Sequence, residues 1–237
     1  PISFVYDTLY DQMTEKQRFD IRKGLAYFCK ITYEMIGTAE YGYSFYKNYT
    51  AGETGALGIA CMTLKNETDW PVDLWQDRAL RYTLSWLNVA VRPDGVFPEG
   101  SNYLCYTAGN QMLFLQALSR EQNVDYFAKT NLKNTLTWLI WCLLPWNSEF
   151  DNFSDGTYKP TTRNIPFMLQ KEYPARGDFL VSQLYGKFPR YLSNSFALIF
   201  GHAPKTDFNP TKELGLSKLF KYGGMAAFRS GWTQQDV

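Results

Sequence analysis

Apolar residues recur at helical spacing over most of the chain, and each run has its own start and stop signals. Thr14-Glu15-Lys16-Gln17 has the Thr/Gln spacing of a capping box ahead of a stripe at Ile21, Leu25, Phe28 and Met35. That pattern predicts a helix over about 14–36, with Gly37 as its stop. Residues 39–49 read as an aromatic, glycine-containing loop, and Gly55–Leu64 as a small-residue helix suited to close packing. Asp69 is placed to cap a helix running to about 91, with Leu80, Leu84, Leu87 and Val91 on its apolar face. Leu113, Phe114, Ala117 and Leu118 mark a helix over about 105–119. Leu132, Leu136, Leu139, Ile140 and Leu143 mark another over about 125–144. Residues 145–175 lack a period and read as a long irregular segment, after which helices resume at about 177–186 and 190–200. Phe220 to Trp232 reads as turn and strand.

Consecutive helices with short links imply antiparallel helix pairs, as in a bundle, a solenoid or an (α/α) toroid. No fixed-period repeat is present, which weakens the solenoid. At 237 residues the chain is one large domain, or one domain with a fragment of a second.

The connection Arg92-Pro-Asp-Gly-Val-Phe-Pro-Glu-Gly-Ser-Asn-Tyr-Leu-Cys-Tyr106 is the most informative interruption of the pattern. Two prolines and two glycines fix its path, because proline pins φ and glycine allows positive φ. Set into it, beyond Asp94, are the carboxylate Glu99 and two phenols, Tyr103 and Tyr106. A stiff inter-helix loop bearing polar groups is where an all-helical barrel would place a binding cleft.

Composition changes this picture modestly. A net charge of +1 argues against a nucleic-acid partner held by bulk charge. Aromatic residues are abundant, at 17%. Most fit a helical core, and some suit a carbohydrate cleft, where rings stack on sugar C–H faces. Four widely spaced cysteines (Cys29, Cys61, Cys105, Cys142) and one histidine, His202, do not make a Cys/His zinc pattern. The cysteines read as small buried hydrophobes. No cofactor is expected, no run of apolar residues is long enough to span a membrane, and no signal peptide is visible. His202, in Gly-His-Ala-Pro, reads as a residue past a helix end, and Asp151 and Asp155 as members of a solvated loop.

Four blocks, taken in order, resemble the heparinase II/III-like polysaccharide lyases, a group that includes oligoalginate lyases. Tyr6-Asp7-Thr-Leu-Tyr10-Asp11 resembles that family's YDWLYD entry. Lys47-Asn48-Tyr49 with Gly55-Ala-Leu-Gly-Ile-Ala resembles its Asn-containing loop and the small-residue helix after it. Asp94-Gly-Val-Phe-Pro-Glu-Gly-Ser-Asn-Tyr103 with Tyr106 resembles its DGxYPEGxxYxxY turn, the most specific match. Phe228-Arg-Ser-Gly-Trp232 resembles the strand that opens its C-terminal β-sandwich.

The resemblance implies an all-α (α/α) toroid, here an incomplete barrel of antiparallel helix pairs, over residues 1–212. The first strand of a truncated β-sandwich domain follows in residues 213–237. It implies a periplasmic or secreted lyase that cuts an anionic, uronate-containing polysaccharide by β-elimination. A base removes the C5 proton, the C4–O bond breaks, and donors aimed at the carboxylate stabilise the charge that develops there. Tyr103 takes the acid/base role, with Tyr106 as alternate, and Asn48 neutralises the carboxylate. Glu99, Tyr49, Asn102 and Trp146 are implied substrate contacts. Several members have histidine directly after the asparagine, where Tyr49 stands here, and others supply a histidine from the sandwich. The sandwich is therefore expected to complete the site, and residues 1–237 alone to turn over negligibly. Two other classes fit the same residues. An α/α-barrel glycoside hydrolase would pair Glu99 with Asp94 or Asp151. A non-catalytic glycan-binding module would keep the cleft without a base.

Overall fold

The computed structural model describes residues 2–36, 38, 47–144, 149–151, 164–185, 199–205 and 207–233. These are predominantly helical, with one two-stranded antiparallel sheet near the C-terminus. The order is α1 (Ile2–Leu9), a 3-10 turn (Tyr10–Gln12), α2 (Glu15–Met35), α3 (Asn48–Leu64), α4 (Val72–Val89) and α5 (Ser101–Gln122). A second 3-10 turn (Phe127–Lys129) follows, then α6 (Leu132–Trp141), α7 (Asn164–Glu172), α8 (Pro174–Tyr185) and the short α9 (Pro210–Glu213). The hairpin strands β1 (Ser217–Phe220) and β2 (Met225–Phe228) come last. Backbone contacts divide the chain into two compact units. The first is Pro1–Trp86 with Asn110–Tyr126, and the second is Leu87–Gly109 with Phe127–Val237.

In the first unit, the capping box forms as its spacing predicts. Thr14 Oγ1 accepts from the Gln17 N–H, and Gln17 Oε1 accepts from the Thr14 N–H at 2.8 Å. α2 buries Leu25, Ala26 and Cys29 and packs on α1 and α3. The small residues of α3 have a visible purpose. A Cβ on Gly55 would lie 2.4 Å from the backbone of Asn110 and Gln111, and one on Gly58 would meet the Phe114 ring. Gln111 then reaches across to donate to Thr54 Oγ1 at 3.2 Å. α3 and α5 are each followed by an asparagine in the left-handed region, Asn66 and Asn123. After α5, the Val124 N–H returns to the Ser119 carbonyl, closing a Schellman-type end.

The second unit buries Leu132, Leu136, Leu139 and Ile140 along α6, which contacts α7 and α8. α7 and α8 meet tightly, since a Cβ on Gly177 would sit 2.3 Å from Gln170 Cα. Phe167 and Val181 are fully buried there, with Tyr185 and Phe200 packed against them. In the hairpin, Ser217 pairs with Phe228 and Phe220 with Met225. The hairpin satisfies the backbone groups of both strands, but β2 ends at Phe228, so the Phe228–Trp232 block read as a strand lies almost wholly past it.

Several sequence boundaries need correction. α3 starts at Asn48, so Asn48 and Tyr49 are helical rather than the end of a loop; residues 39–46 of that loop lie outside the described residues. α4 starts at Val72, behind Pro71, and Asp69 is not its cap. α5 starts at Ser101, so Tyr103 is on a helix and not in the turn. The helix expected over about 125–144 is a 3-10 turn followed by the shorter α6. α7 occupies part of the segment read as irregular. Gly37 and residues 190–198 lie outside the described residues. All four cysteines are buried and free, as the apolar runs around them suggest.

Candidate functional site

The Asp94–Tyr106 block is built into the second unit by its own backbone. Gly95 at φ 90° and Gly100 at φ 94° take the left-handed conformations that glycine permits. A Cβ on Gly95 would also collide with the backbone of Asn134 and Thr135. Thr135 Oγ1 donates to the Gly95 carbonyl at 3.2 Å, and Asn134 Nδ2 donates to the Pro93 carbonyl at 2.7 Å. The Arg92 N–H closes the turn on the Val96 carbonyl. α5 then begins, with the Leu104 N–H returning to the Gly100 carbonyl.

On this frame the structure brings together four of the residues singled out by sequence. Glu99 immediately precedes α5, and Asn102, Tyr103 and Tyr106 lie in its first two turns. Tyr103 and Tyr106 are three residues apart and Asn102 and Tyr106 four, so they are neighbours on the helix surface. Tyr106 is 61% exposed, whereas Tyr103, Asn102 and Glu99 are half-buried. Tyr103 and Glu99 each engage neighbours. Asn102 Oδ1 is buried with no hydrogen-bond partner among the described residues.

Asn48 and Tyr49 occupy the first turn of α3, in the first unit, with Asn48 half-buried and Tyr49 exposed. Their helix lacks a side-chain cap at Lys47. Instead the indole N–H of the fully buried Trp86 donates to the Lys47 carbonyl at 3.1 Å. That bond ties the residue before α3 to α4, and sequence alone gives no sign of it. Trp146 lies outside the described residues.

Other motif residues prove to be fasteners. Tyr6 and Tyr10 both donate to Glu67, at 3.1 and 3.0 Å, and Arg22 Nη1 donates to the same carboxylate at 2.8 Å. The entry motif is thus a tyrosine clamp holding α1 and α2 to the end of α3. The Arg22 guanidinium, with the two phenols, lowers the Glu67 pKa. In the second unit, Asp94 Oδ2 accepts from the Tyr222 and Gly223 N–H groups at 2.7 and 3.0 Å, across the hairpin turn. Gly223 is required at this contact, because a Cβ there would meet the Val96 side chain. Arg229 donates to the Trp141 and Leu143 carbonyls and stacks on Trp232, which packs on Trp141.

Asp151 departs from the solvated-loop reading. Its backbone pairs with Cys142, its Oδ1 is buried without a partner among the described residues, and the Cys142 thiol faces it. Burial pushes its carboxyl up to about 7, against the Cys142 hydrogen bond and the Arg229 charge. Asp155 lies outside the described residues. His202 is tied into the unit rather than merely trailing a helix. Its Nε2 lies 2.9 Å from Oδ1 of Asp178, a carboxylate that also accepts from Gln170 Nε2 and the Lys205 N–H.

Among the described residues, no group of three or more His, Cys, Asp or Glu side chains could hold a metal ion, and no helix is long and apolar enough to cross a membrane. Compared with protein-family models and with curated proteins, the chain matches none.

Proposed function

We propose that this chain is the helical part of a polysaccharide lyase that cleaves uronate-containing polysaccharide by β-elimination, and that its helices belong to an incomplete (α/α) toroid. The placement of the phenols carries the reading. The block most similar to the lyases forms a glycine-locked turn and presents Tyr103 and Tyr106 at the start of α5, one half-buried and one open to solvent.

In this mechanism Tyr103 handles the proton, donating to the departing C4 oxygen after C5 deprotonation. A phenol has a reference pKa near ~10, so its use as a base requires donors around it. The resemblance gives Asn48, in the first unit, the oxyanion-hole role toward the uronate carboxylate as negative charge builds there. Glu99 and Asn102 meet sugar hydroxyls, and Tyr49 offers a ring face. A following β-sandwich supplies the remaining catalytic groups.

A hydrolase reading is supported by one observation, the enclosed Oδ1 of Asp151, whose burial raises the carboxyl to about 7 as a general acid requires. Its carboxylate partner would be Glu99, because both oxygens of Asp94 are engaged by backbone N–H groups, at Tyr222, Gly223 and Val96. The two chemistries leave different products. Full-length protein is incubated with alginate, heparan sulfate, chondroitin and hyaluronan, and both ultraviolet absorbance and new reducing ends are followed. A lyase yields both signals, because its product is a conjugated unsaturated uronate. New reducing ends without absorbance would establish the hydrolase.

A further inference from the structure

The first unit carries a groove of about 510 Å³ between α4 and the end of α2. Arg78, Arg81, Tyr82 and Ser85 line it from α4, at the three- and four-residue intervals that put them in one stripe along the helix. Glu34 stands on the α2 side. We propose that this groove is a binding subsite for one uronic acid unit, with the two arginines facing its carboxylate and Glu34, Tyr82 and Ser85 its hydroxyls. The proposal rests on the lyase reading for the kind of sugar and on the groove itself for the site.

Three observations support it. First, Arg78 is held in place. Its Nη1 donates to the carbonyls of Tyr33 and Ile36 at 3.0 and 3.4 Å, and its guanidinium lies over the Tyr33 ring at 3.7 Å. A guanidinium carries five N–H donors, so these two bonds leave donors on the other nitrogens for a ligand. Second, the charges along the groove are unequal. Glu34 pairs with Lys30 at 3.9 Å and Asp77 with Arg81 at 2.8 Å, leaving Arg78 as the excess positive charge among the described residues of the groove. The Asp77–Arg81 pair is well exposed and worth little in water, so Arg81 can turn to a bidentate carboxylate at small cost. Third, Ser85 adjoins Trp86, whose indole holds the Lys47 carbonyl at the start of α3. α4 thus lines the groove with Ser85 and, with the next residue, holds the backbone at the start of α3.

The test is calorimetric titration of full-length protein with mannuronate and galacturonate trisaccharides. It is run in a Tyr103→Phe background so that the probe is not consumed, with mannotriose as the neutral control. Arg81→Glu should weaken uronate binding by about tenfold or more, by reversing a charge that meets the carboxylate. Ser85→Trp should abolish binding by filling the groove, and mannotriose should bind at least about tenfold more weakly than either uronate. The circular dichroism melt of Arg81→Glu should match the parent, because Arg81 is exposed, so its binding result stands whatever the melt of Ser85→Trp. Uronate affinity unchanged in both variants, or no uronate binding at all, overturns the subsite. The two readings separate cleanly. If affinity is unchanged but unsaturated product still forms, the lyase survives and the subsite falls. Affinity lost in Arg81→Glu, with no unsaturated product from unmutated protein, keeps the subsite and removes the lyase.

Discussion

Tyr103→Phe removes one oxygen from a half-buried side chain and little volume, so it isolates the hydroxyl. If that hydroxyl transfers a proton in the transition state, kcat of the full-length protein falls by about 10²–10⁴ with KM largely kept. Asn48→Ala takes a donor from the developing carboxylate charge and lowers kcat by about 10²–10³; steady-state kinetics on the same polymer reads both. Glu67 belongs at this scale too. Its carboxylate, held low by Arg22 and the two phenols, stabilises the fold above its unfolded pKa, and that contribution is lost as pH falls through the lowered folded value. Glu67→Gln should destabilise by about 1–3 kcal/mol at neutral pH and flatten the acid side of the stability profile in urea titrations. Asp151 has the opposite sign. Its raised folded pKa disfavours the folded state progressively as pH climbs from the usual carboxylate range through about 7. Asp151→Asn should therefore remove part of the stability loss on the neutral side, and an unchanged profile would mean that the carboxyl is not held protonated.

Among the elements, the hairpin and the turn before α5 are one construction, because Asp94 accepts two N–H groups from the hairpin turn. Asp94→Ala leaves those donors without the carboxylate. Amide exchange at Tyr222 and Gly223 should speed by about tenfold or more, while α6 amides stay protected. Equal exchange in both proteins would show that the contact is not formed in solution. The same pair explains what sequence could and could not disclose. The capping box at Thr14, the small-residue face of α3 and the turn glycines were legible because their reasons are local: a side chain three residues away, a missing Cβ, a positive φ. The starts of α3 and α5 were not. Lys47 is no capping residue by type, and Trp86, far along the chain, holds its carbonyl. The hairpin role of Asp94 depends on residues more than a hundred positions later.

For the molecule as a whole, the helical class follows from periodicity, whereas the strand read at Phe228–Trp232 comes too late in the chain and without its partner, and the toroid and the chemistry rest on resemblance joined to the geometry of α5. Long-range fasteners stand where sequence placed either chemistry or loops. The tyrosines of the entry motif clamp Glu67, Asp94 grips the hairpin, and Asp151, expected in water, is half-buried with its Oδ1 enclosed, beside Cys142 and Arg229. Such roles need a partner distant in sequence, which no local pattern supplies. The phenols at the start of α5 are the residues around which the functional account turns. Its most direct test is the ultraviolet absorbance of unsaturated uronate released from a polyuronate panel by full-length protein, compared with Tyr103→Phe. The account predicts a steady rise on at least one polymer and a rate lower by about 10²–10⁴ in the variant. No absorbance on any polyuronate, or equal rates for the two proteins, would contradict it.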